Sequence, residues 1–203
     1  PTAGLHPWQA ASYFVNDMLP YLTACPVIGE IGMDSVWCDV PLDRQEEVFR
    51  AQLAIACQMK KPVILHTKGE DRIASILPEY PNTYLIHWYS CEEYLDQYLA
   101  LGCYFSIGPD VLWNPPVRTL AARVPQNRIL IETDGMGAVK WAYEAPEAPK
   151  NSQLADAREN TKNVEDALTH TLLETAAIRQ TDPGVLAKQI QKNLIWGFLS
   201  ASK

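Results

Sequence analysis

Five short apolar runs recur along the chain, and they constrain its fold more than any other feature of the sequence. They lie at Val27–Ile31, Pro62–His66, Thr83–His87, Cys103–Ile107 and Arg128–Glu132. Because the runs are mostly apolar on both faces, they are typical of buried parallel strands and not of half-exposed antiparallel ones. The segment Thr2–Leu5 is consistent with the end of a further strand.

Segments with helical spacing separate these runs and follow the last one. They lie at Asp43–Lys61, Glu70–Leu77, Glu92–Leu101, Val117–Val124, Val164–Arg179 and Pro183–Phe198. In the first and clearest of them the apolar residues fall near one face, and Asp43 is placed to cap the helix. Residues Gly137–Asn160 are rich in Ala, Pro and charge, and they predict a long loop.

The alternation of strand and helix predicts right-handed βαβ crossovers and a parallel sheet. The length of 203 residues favours a single α/β domain over residues 1–203, although a complete eight-unit barrel typically needs about 250 residues. Both a barrel and an open doubly wound sheet would gather the carboxyl ends of the strands along one edge. An open sheet would hold distant strands further apart.

Composition excludes several classes of protein. The net charge of −7 and the pI near 5.1 argue against binding nucleic acid through a broad basic face, although bound divalent metals can supply positive charge to a nuclease locally. We find neither a run of about 18 apolar residues nor the pattern of a signal peptide, so we expect a protein that does not span a membrane. The five cysteines form no C-x-x-C, so we expect reduced thiols in the cytoplasm.

Ionisable residues stand at or just after the ends of the runs: Glu30, His66, His87 and Asp134. Each has an ordinary explanation alone, as a hydrogen-bonded core residue or, for Asp134, as a helix cap. Burying several such groups without partners is costly, and the carboxyl ends of parallel strands meet on one face. A divalent cation would satisfy imidazoles and carboxylates together, so the joint pattern favours a metal site. His6, in Leu-His-Pro, favours a structural turn.

Several short motifs occur in a characteristic order. They are Gly4-Leu5-His6-Pro7, Gly29-Glu30-Ile31-Gly32-Met33-Asp34, Pro62-Val63-Ile64-Leu65-His66, Ile86-His87 and Ile131-Glu132-Thr133-Asp134. In this combination the sequence resembles the TatD family of metal-dependent deoxyribonucleases, which have amidohydrolase-like barrels. The resemblance implies that Glu30 bridges two divalent metals and that His66 and His87 complete the shell of one. It further implies that Asp134 serves the other metal and its activated water.

The resemblance also implies what this sequence lacks. The family begins with an H-x-H on its first strand, and the present sequence resembles the family only from the end of the third strand. We therefore expect a (β/α)8 TIM-type barrel that is missing its first two β/α units. An Arg is common in the family at the position of Lys68, and Lys serves a phosphate as a point charge without the bidentate fork of Arg.

These observations predict a metal-dependent hydrolase that cleaves phosphodiester bonds in DNA or another phosphate ester. One or two divalent ions (Mg, Mn or Zn) would act with Glu30 and Asp134 as catalytic residues, while Lys68 and His6 bind the phosphate. Two alternatives stay open. The same site could hydrolyse an ester or amide, as in an aminoacyl-tRNA deacylase, or the barrel could have lost catalysis and serve as a binding protein.

Overall fold

The computed structural model describes residues 1–69 and 72–202. The described strands are β1 (Thr2–Ala3), β2 (Val27–Asp34), β3 (Val63–Lys68), β4 (Tyr84–Ile86), β5 (Tyr104–Ile107) and β6 (Ile129–Ile131). The described α-helices are α1 (Val15–Ala24), α2 (Leu42–Met59), α3 (Arg72–Ile76), α4 (Leu95–Ala100), α5 (Pro115–Arg123), α6 (Gly135–Glu144), α7 (Ser152–Asn160), α8 (Val164–Ile178) and α9 (Pro183–Lys192). Short 3₁₀ turns lie between several of them, and a π-helical turn follows α9. Among the described residues, no helix combines the length and the apolar character that crossing a bilayer requires.

The chain divides into two compact units. The first comprises Pro1–His87, Tyr94–Tyr104 and Ile195–Lys203, and the second comprises Trp88–Glu93 and Phe105–Leu194. The prediction of one domain over residues 1–203 stays a prediction.

Strand order follows chain order, and every strand pair within a unit is parallel. In the first unit β1 pairs with β2, β2 with β3 and β3 with β4, and in the second β5 pairs with β6. All five apolar runs and the end of the further strand contain strands, so the predicted parallel α/β class is confirmed. The residues of β2, β4, β5 and β6 are mostly buried, as expected of strands that are covered on both faces, whereas four of the six residues of β3 are partly exposed.

Helix α2 covers β2 in the first unit and carries the clearest amphipathic pattern of the sequence. Its residues Phe49 and Leu53 are fully buried, as are Ile28 and Ile31 of the strand. The predicted cap at Asp43 is wrong: Pro41, in an extended conformation, precedes the helix, and Asp43 lies inside the first turn. A carboxylate there still interacts favourably with the positive end of the helix dipole.

Strands β2 and β3 approach closely at Gly32, which pairs in register with His66. A Cβ atom at Gly32 would overlap the carbonyl oxygen of His66, and the φ of +151° at this glycine disfavours any side chain. Glycine at this position therefore brings the backbone carrying His66 close to the backbone that carries Glu30.

Lys61 closes the carboxyl end of α1, a helix that the sequence analysis missed. Its Nζ donates to the carbonyl oxygens of Leu22, Thr23 and Cys25 at 2.6, 2.6 and 2.7 Å. The last carbonyls of a helix have no partner within the helix, and an ammonium group has three donors to offer them. One side chain thus satisfies the end of α1.

The predicted loop Gly137–Asn160 is wrong. Helices α6 and α7 occupy most of it, and several of their apolar residues are buried in one cluster of the second unit. That cluster includes Val139, Ala142, Tyr143, Leu154 and Ala157. Tertiary packing of these side chains outweighs the weak helical preference of a segment that contains glycine and proline.

The remaining helices agree with the sequence in position, with shifted ends. Helix α4 covers only part of the predicted Glu92–Leu101 segment. The last predicted helix ends at Lys192 and gives way to the π-helical turn Asn193–Phe198. The first two residues of the predicted helix Glu70–Leu77 lie outside the described residues, and α3 occupies Arg72–Ile76.

Candidate metal and phosphate site

Four predicted site residues lie on, or shortly after, neighbouring parallel strands of the first unit. Glu30 is on β2, His66 is on β3 and His87 directly follows β4. His6 follows β1 and precedes the 3₁₀ turn Pro7–Gln9. Because the strands are parallel and paired in register, these side chains come together on one side of the sheet. The sequence predicted this for Glu30, His66 and His87 but not for His6, and the predicted convergence of Asp134 with them stays a prediction.

Glu30 lies between two imidazoles. Its Oε1 is 3.0 Å from Nε2 of His87, and its Oε2 is 3.7 Å from Nε2 of His6. The side chain of Glu30 is 28% exposed and that of His87 is 12% exposed. The carboxylate is therefore partly shielded from water and still open to a ligand, which strengthens its electrostatic interactions relative to those of a surface carboxylate.

His66 is held by Asp34, the last residue of β2. The distance from His66 Nε2 to Asp34 Oδ2 is 3.0 Å, and the Asp34 side chain is fully buried. Trp8 Nε1 donates to the same oxygen at 2.8 Å, while the backbone N–H groups of Val36 and Trp37 donate to Oδ1 at 2.8 Å each. Each oxygen of this carboxylate thus takes part in two hydrogen bonds.

The ionisation states of this pair follow from these contacts. Burial favours the neutral acid of Asp34, but the hydrogen bonds from Trp37, Trp8 and Val36 outweigh it and lower the pKa of the carboxyl. Burial lowers the pKa of His66, although Asp34 pulls it upward. An ionised Asp34 therefore accepts a hydrogen bond from Nε2–H of a neutral His66, which leaves the lone pair of His66 on Nδ1. A carboxylate that fixes the tautomer of a metal-ligating histidine in this way is a common arrangement in metal sites.

His6 is held from the other ring nitrogen. Its Nδ1 accepts a hydrogen bond from the backbone N–H of Trp8 at 3.3 Å, so the proton of a neutral His6 lies on Nε2. Burial, with a smaller contribution from the nearby His66, lowers the pKa of His6 to about 4. The imidazole is therefore neutral near pH 7, and its Nε2–H lies on the side of Glu30.

Two buried glutamines of α2 position the chain segments around the site. Gln52 accepts from the backbone N–H of Leu5 at 2.7 Å and donates to the carbonyl of the same residue at 3.1 Å. Gln45 does the same for Asp34, at 2.8 and 3.0 Å. The helix therefore fixes the backbone immediately before His6 and at the residue that orients His66.

The donor set fits a divalent cation. Ligand atoms of His6, Glu30 and His66 all lie within 4.8 Å of one another, and imidazole with carboxylate is a usual mixed ligand set. Coordination by Nε2 of His6 would require the loss of its hydrogen bond from Trp8, because Nδ1 would then carry the proton. The geometry supports His6, Glu30 and His66 as the group that could hold the ion, with His87 Nε2 3.0 Å from Glu30 Oε1, and coordination by His87 stays a prediction.

Lys68, predicted to bind phosphate, lies next to this group of residues. It pairs in register with Asp34 across β2 and β3. Its Nζ lies 4.1 Å from the centre of the Trp37 ring. The ammonium therefore places a positive charge two residues beyond His66, on the same strand.

Asp134 belongs to the second unit, where it follows β6 and precedes α6. It is exposed, has a φ of 53°, and in the described structure its side chain makes no capping hydrogen bond to α6. Its ordinary explanation as a capping side chain therefore has no support. Its role as a metal ligand or a base stays a prediction.

Sequence reasoning gave no role to Asp34, Trp8 or the two α2 glutamines. Asp34 ends β2, so the rule that selected His66 near the end of β3 also selects Asp34. The glutamines left no comparable signal, because a polar residue on the inner face of a helix does not reveal which backbone groups it binds.

Three comparisons describe what the chain is similar to. A family model described as TatD related DNase matches residues 1–198. The chain is 31% identical over 205 aligned positions to the 3'-5' ssDNA/RNA exonuclease TatD of Edwardsiella piscicida, covering 95% of this chain and 74% of that protein. It is 31% identical over 143 positions to the uncharacterized metal-dependent hydrolase YabD of Bacillus subtilis, covering 64% of this chain and 56% of that protein.

Among solved structures, the crystal structure of YJJV, a TatD homologue from Escherichia coli K12, has a TM-score of 0.76 to this chain. The two share 20% sequence identity, and the match covers 97% of this chain and 75% of that one. A likeness at this identity shows the fold, and it agrees with the predicted α/β barrel class.

Proposed function

The chain belongs to the TatD related DNase family, and from this premise we propose that it is a metal-dependent hydrolase that cleaves phosphodiester bonds in DNA. The observation that carries the proposal is Glu30, which lies between His6 and His87 at 3.7 and 3.0 Å, beside a His66 that Asp34 holds in a fixed tautomer. This arrangement combines a carboxylate, imidazoles and a hydrogen-bond donor within one partly buried edge of the sheet.

The residues divide into ion-binding and substrate-binding groups. Glu30, His66 and His87 would hold one divalent cation, and a second would depend on Asp134 and further ligands. A bound divalent cation lowers the pKa of water and offsets negative charge on phosphate oxygens. Burial lowers the pKa of His66, which favours the neutral imidazole that a metal ion requires as a ligand.

The phosphate would meet two donors of this chain. The Nε2–H of His6 can donate to a phosphate oxygen without a change of tautomer, since Nδ1 is already occupied by the Trp8 N–H. Lys68 would contribute its charge from the end of β3. Asp134 would accept the proton of the attacking water, a role that a carboxylate can take within hydrogen-bond reach of that water.

A relative suggests the kind of strand that is cleaved. The Edwardsiella piscicida protein is named a 3'-5' exonuclease of single-stranded DNA and RNA. We extend this to the present chain as a proposal: nucleotides are released from the 3′ end of single strands. We also propose the cytoplasm as the compartment, since the five cysteines are odd in number and form no C-x-x-C, a pattern typical of reduced thiols.

The test uses single-stranded oligonucleotides labelled at either end and the chain loaded with Mn²⁺ or Zn²⁺. Glu30→Gln should abolish cleavage, because the amide cannot replace the charge of the carboxylate. Glu47→Gln is the matched control, since the Glu47 side chain is 70% exposed on α2 and should leave cleavage unchanged. Equal cleavage by Glu30→Gln and the unmodified chain would overturn the proposal. Cleavage of acyl esters without cleavage of DNA would redirect it to the ester hydrolase.

A further inference from the structure

Two tryptophans with large exposed areas lie beside the site. Trp8 is 49% exposed and Trp37 is 53% exposed. Both are bound to Asp34, Trp8 by its ring N–H to Oδ2 and Trp37 by its backbone N–H to Oδ1, at 2.8 Å each. The hydrogen bond holds the ring of Trp8 but only the backbone of Trp37, whose ring contacts the Lys68 ammonium. Accessible aromatic rings with restricted motion are suited to contact a ligand, because little conformational entropy is lost on binding.

The two tryptophans differ in what their rings do. The Trp8 ring donates a hydrogen bond to the carboxylate that orients His66, so it supports the site. The Trp37 ring instead faces the Lys68 ammonium, with Nζ 4.1 Å from the ring centre. The Trp37 ring and Lys68 therefore combine an aromatic surface with a positive charge, next to the residues that would meet a phosphate.

This combination matches the chemistry of a single-stranded nucleotide. Every base has an aromatic face that stacks on a tryptophan ring, and the adjacent phosphate carries a negative charge. In a duplex both faces of every internal base are already stacked on their neighbours, so an unpaired base offers its face more readily than a paired one. The net charge of −7 leaves the chain without an overall attraction for nucleic acid, which makes a local cation and a stacking ring more important.

We propose that Trp37 and Lys68 form a nucleotide platform, on which Trp37 stacks with an unpaired base of single-stranded nucleic acid and Lys68 binds the neighbouring phosphate. The inference rests on the proposed function and deepens it, because it names the residues that would make the protein prefer single-stranded substrates. Stacking is tolerant of base identity, so the platform selects strandedness and not sequence.

Trp37→Ala isolates the contribution of the ring. The hydrogen bond to Asp34 comes from the Trp37 backbone, so the variant keeps it and leaves His66 oriented. Binding of a fluorescent single-stranded oligonucleotide is measured by anisotropy in EDTA, where no cleavage occurs. Trp37→Ala should weaken binding about tenfold or more, while Trp37→Phe retains most of the affinity. Trp196→Ala is the control, since Trp196 is a still more exposed indole, 76% accessible, on the C-terminal π-helical turn.

An oligonucleotide with abasic sites separates stacking from charge. It keeps the phosphates and lacks the bases, so the unmodified chain and Trp37→Ala should bind it with equal affinity. Equal affinity of the two proteins for the ordinary strand would overturn the platform, as would equal loss in Trp196→Ala. If Trp37→Ala loses binding but the metal-loaded chain cleaves no phosphodiester, the platform stands and the proposed hydrolase fails. If the chain cleaves normally and Trp37→Ala binds with undiminished affinity, the hydrolase stands and the platform fails.

Discussion

Exchange of the Asp34 carboxylate for an amide, Asp34→Asn, should weaken both the fold and the metal site. The carboxylate accepts hydrogen bonds from the N–H groups of Val36 and Trp37 on one oxygen, and from Trp8 and His66 on the other. Asparagine has nearly the same shape but offers only one acceptor oxygen. Whichever way the amide is turned, its NH₂ group faces two donors.

The size of the effect follows from these four contacts. Two charge-assisted hydrogen bonds are lost, each with a net contribution of about 1.5–3 kcal/mol. The neutral amide is less costly to bury than a carboxylate, which offsets about 1–2 kcal/mol of that loss. We therefore expect the free energy of unfolding to fall by about 2–4 kcal/mol.

The metal site should lose affinity as well. An asparagine whose NH₂ group faces His66 no longer accepts from Nε2–H, and one turned the other way accepts only as a neutral amide, so the preference for the tautomer that leaves the lone pair of His66 on Nδ1 is weakened. Loss of a partner that orients a metal-ligating histidine typically costs about 10–100-fold in metal affinity. Isothermal titration of the metal-free variant with Mn²⁺ or Zn²⁺ measures this, alongside urea unfolding at pH 7 in EDTA.

Asp39→Asn is the matched control, because Asp39 is exposed and lies just beyond Asp34 in the chain. Its free energy of unfolding should change by no more than about 0.5 kcal/mol. If Asp34→Asn loses less than about 1 kcal/mol and binds metal as tightly as the unmodified chain, the reasoning about Asp34 and His66 is refuted.

Three further predictions address His6, Lys61 and Gly32. Burial lowers the pKa of His6 from 6.5 to about 4, so the unfolded chain takes up its proton first as the pH falls. The metal-free protein should then lose stability between those two values, and His6→Gln should flatten the pH profile of urea midpoints, whereas superimposable profiles would contradict this. Lys61→Met removes the ammonium that binds three carbonyl oxygens, and it should lower the free energy of unfolding by about 2–3 kcal/mol. Proteases should then cleave α1 more readily, and unchanged protease resistance and stability would contradict the role of Lys61. Gly32→Ala introduces a Cβ atom that overlaps the His66 carbonyl, and it should lower the free energy of unfolding, measured by thermal unfolding, by about 2 kcal/mol or more. A decrease of less than about 1 kcal/mol would show that β2 and β3 separate easily at this position.

The strands can be predicted from the sequence because each one is indicated by its own residues. A buried parallel strand needs apolar residues on both faces, and each of the five runs has them. The convergence of Glu30, His66 and His87 followed from one topological rule about parallel strands. The contacts of Asp34 did not follow, because which side chain approaches His66 depends on the loop that carries Trp37.

Helices α6 and α7 show where local evidence fails. Their segment resembles a loop in composition, and only the burial of Tyr143, Leu154 and their neighbours in one cluster makes it helical. The prediction that Asp43 caps α2 is wrong for a related reason. Asp43 is a good capping residue, but Pro41 sets the start of the helix two residues before it. Propensity was a weak guide wherever packing or a neighbouring proline competed with it.

The two buried glutamines of α2 also have a consequence for motion. The backbone amides of Leu5 and Asp34 are distant in sequence, yet each donates its proton to a side chain of the same helix. Neither amide can exchange with solvent deuterium until its glutamine withdraws. If α2 moves as a unit, both amides should show one opening free energy and lose their protection together. The edge of the sheet that carries His6 and His66 would then loosen in a single cooperative event, governed from a helix that contributes no ligand of its own.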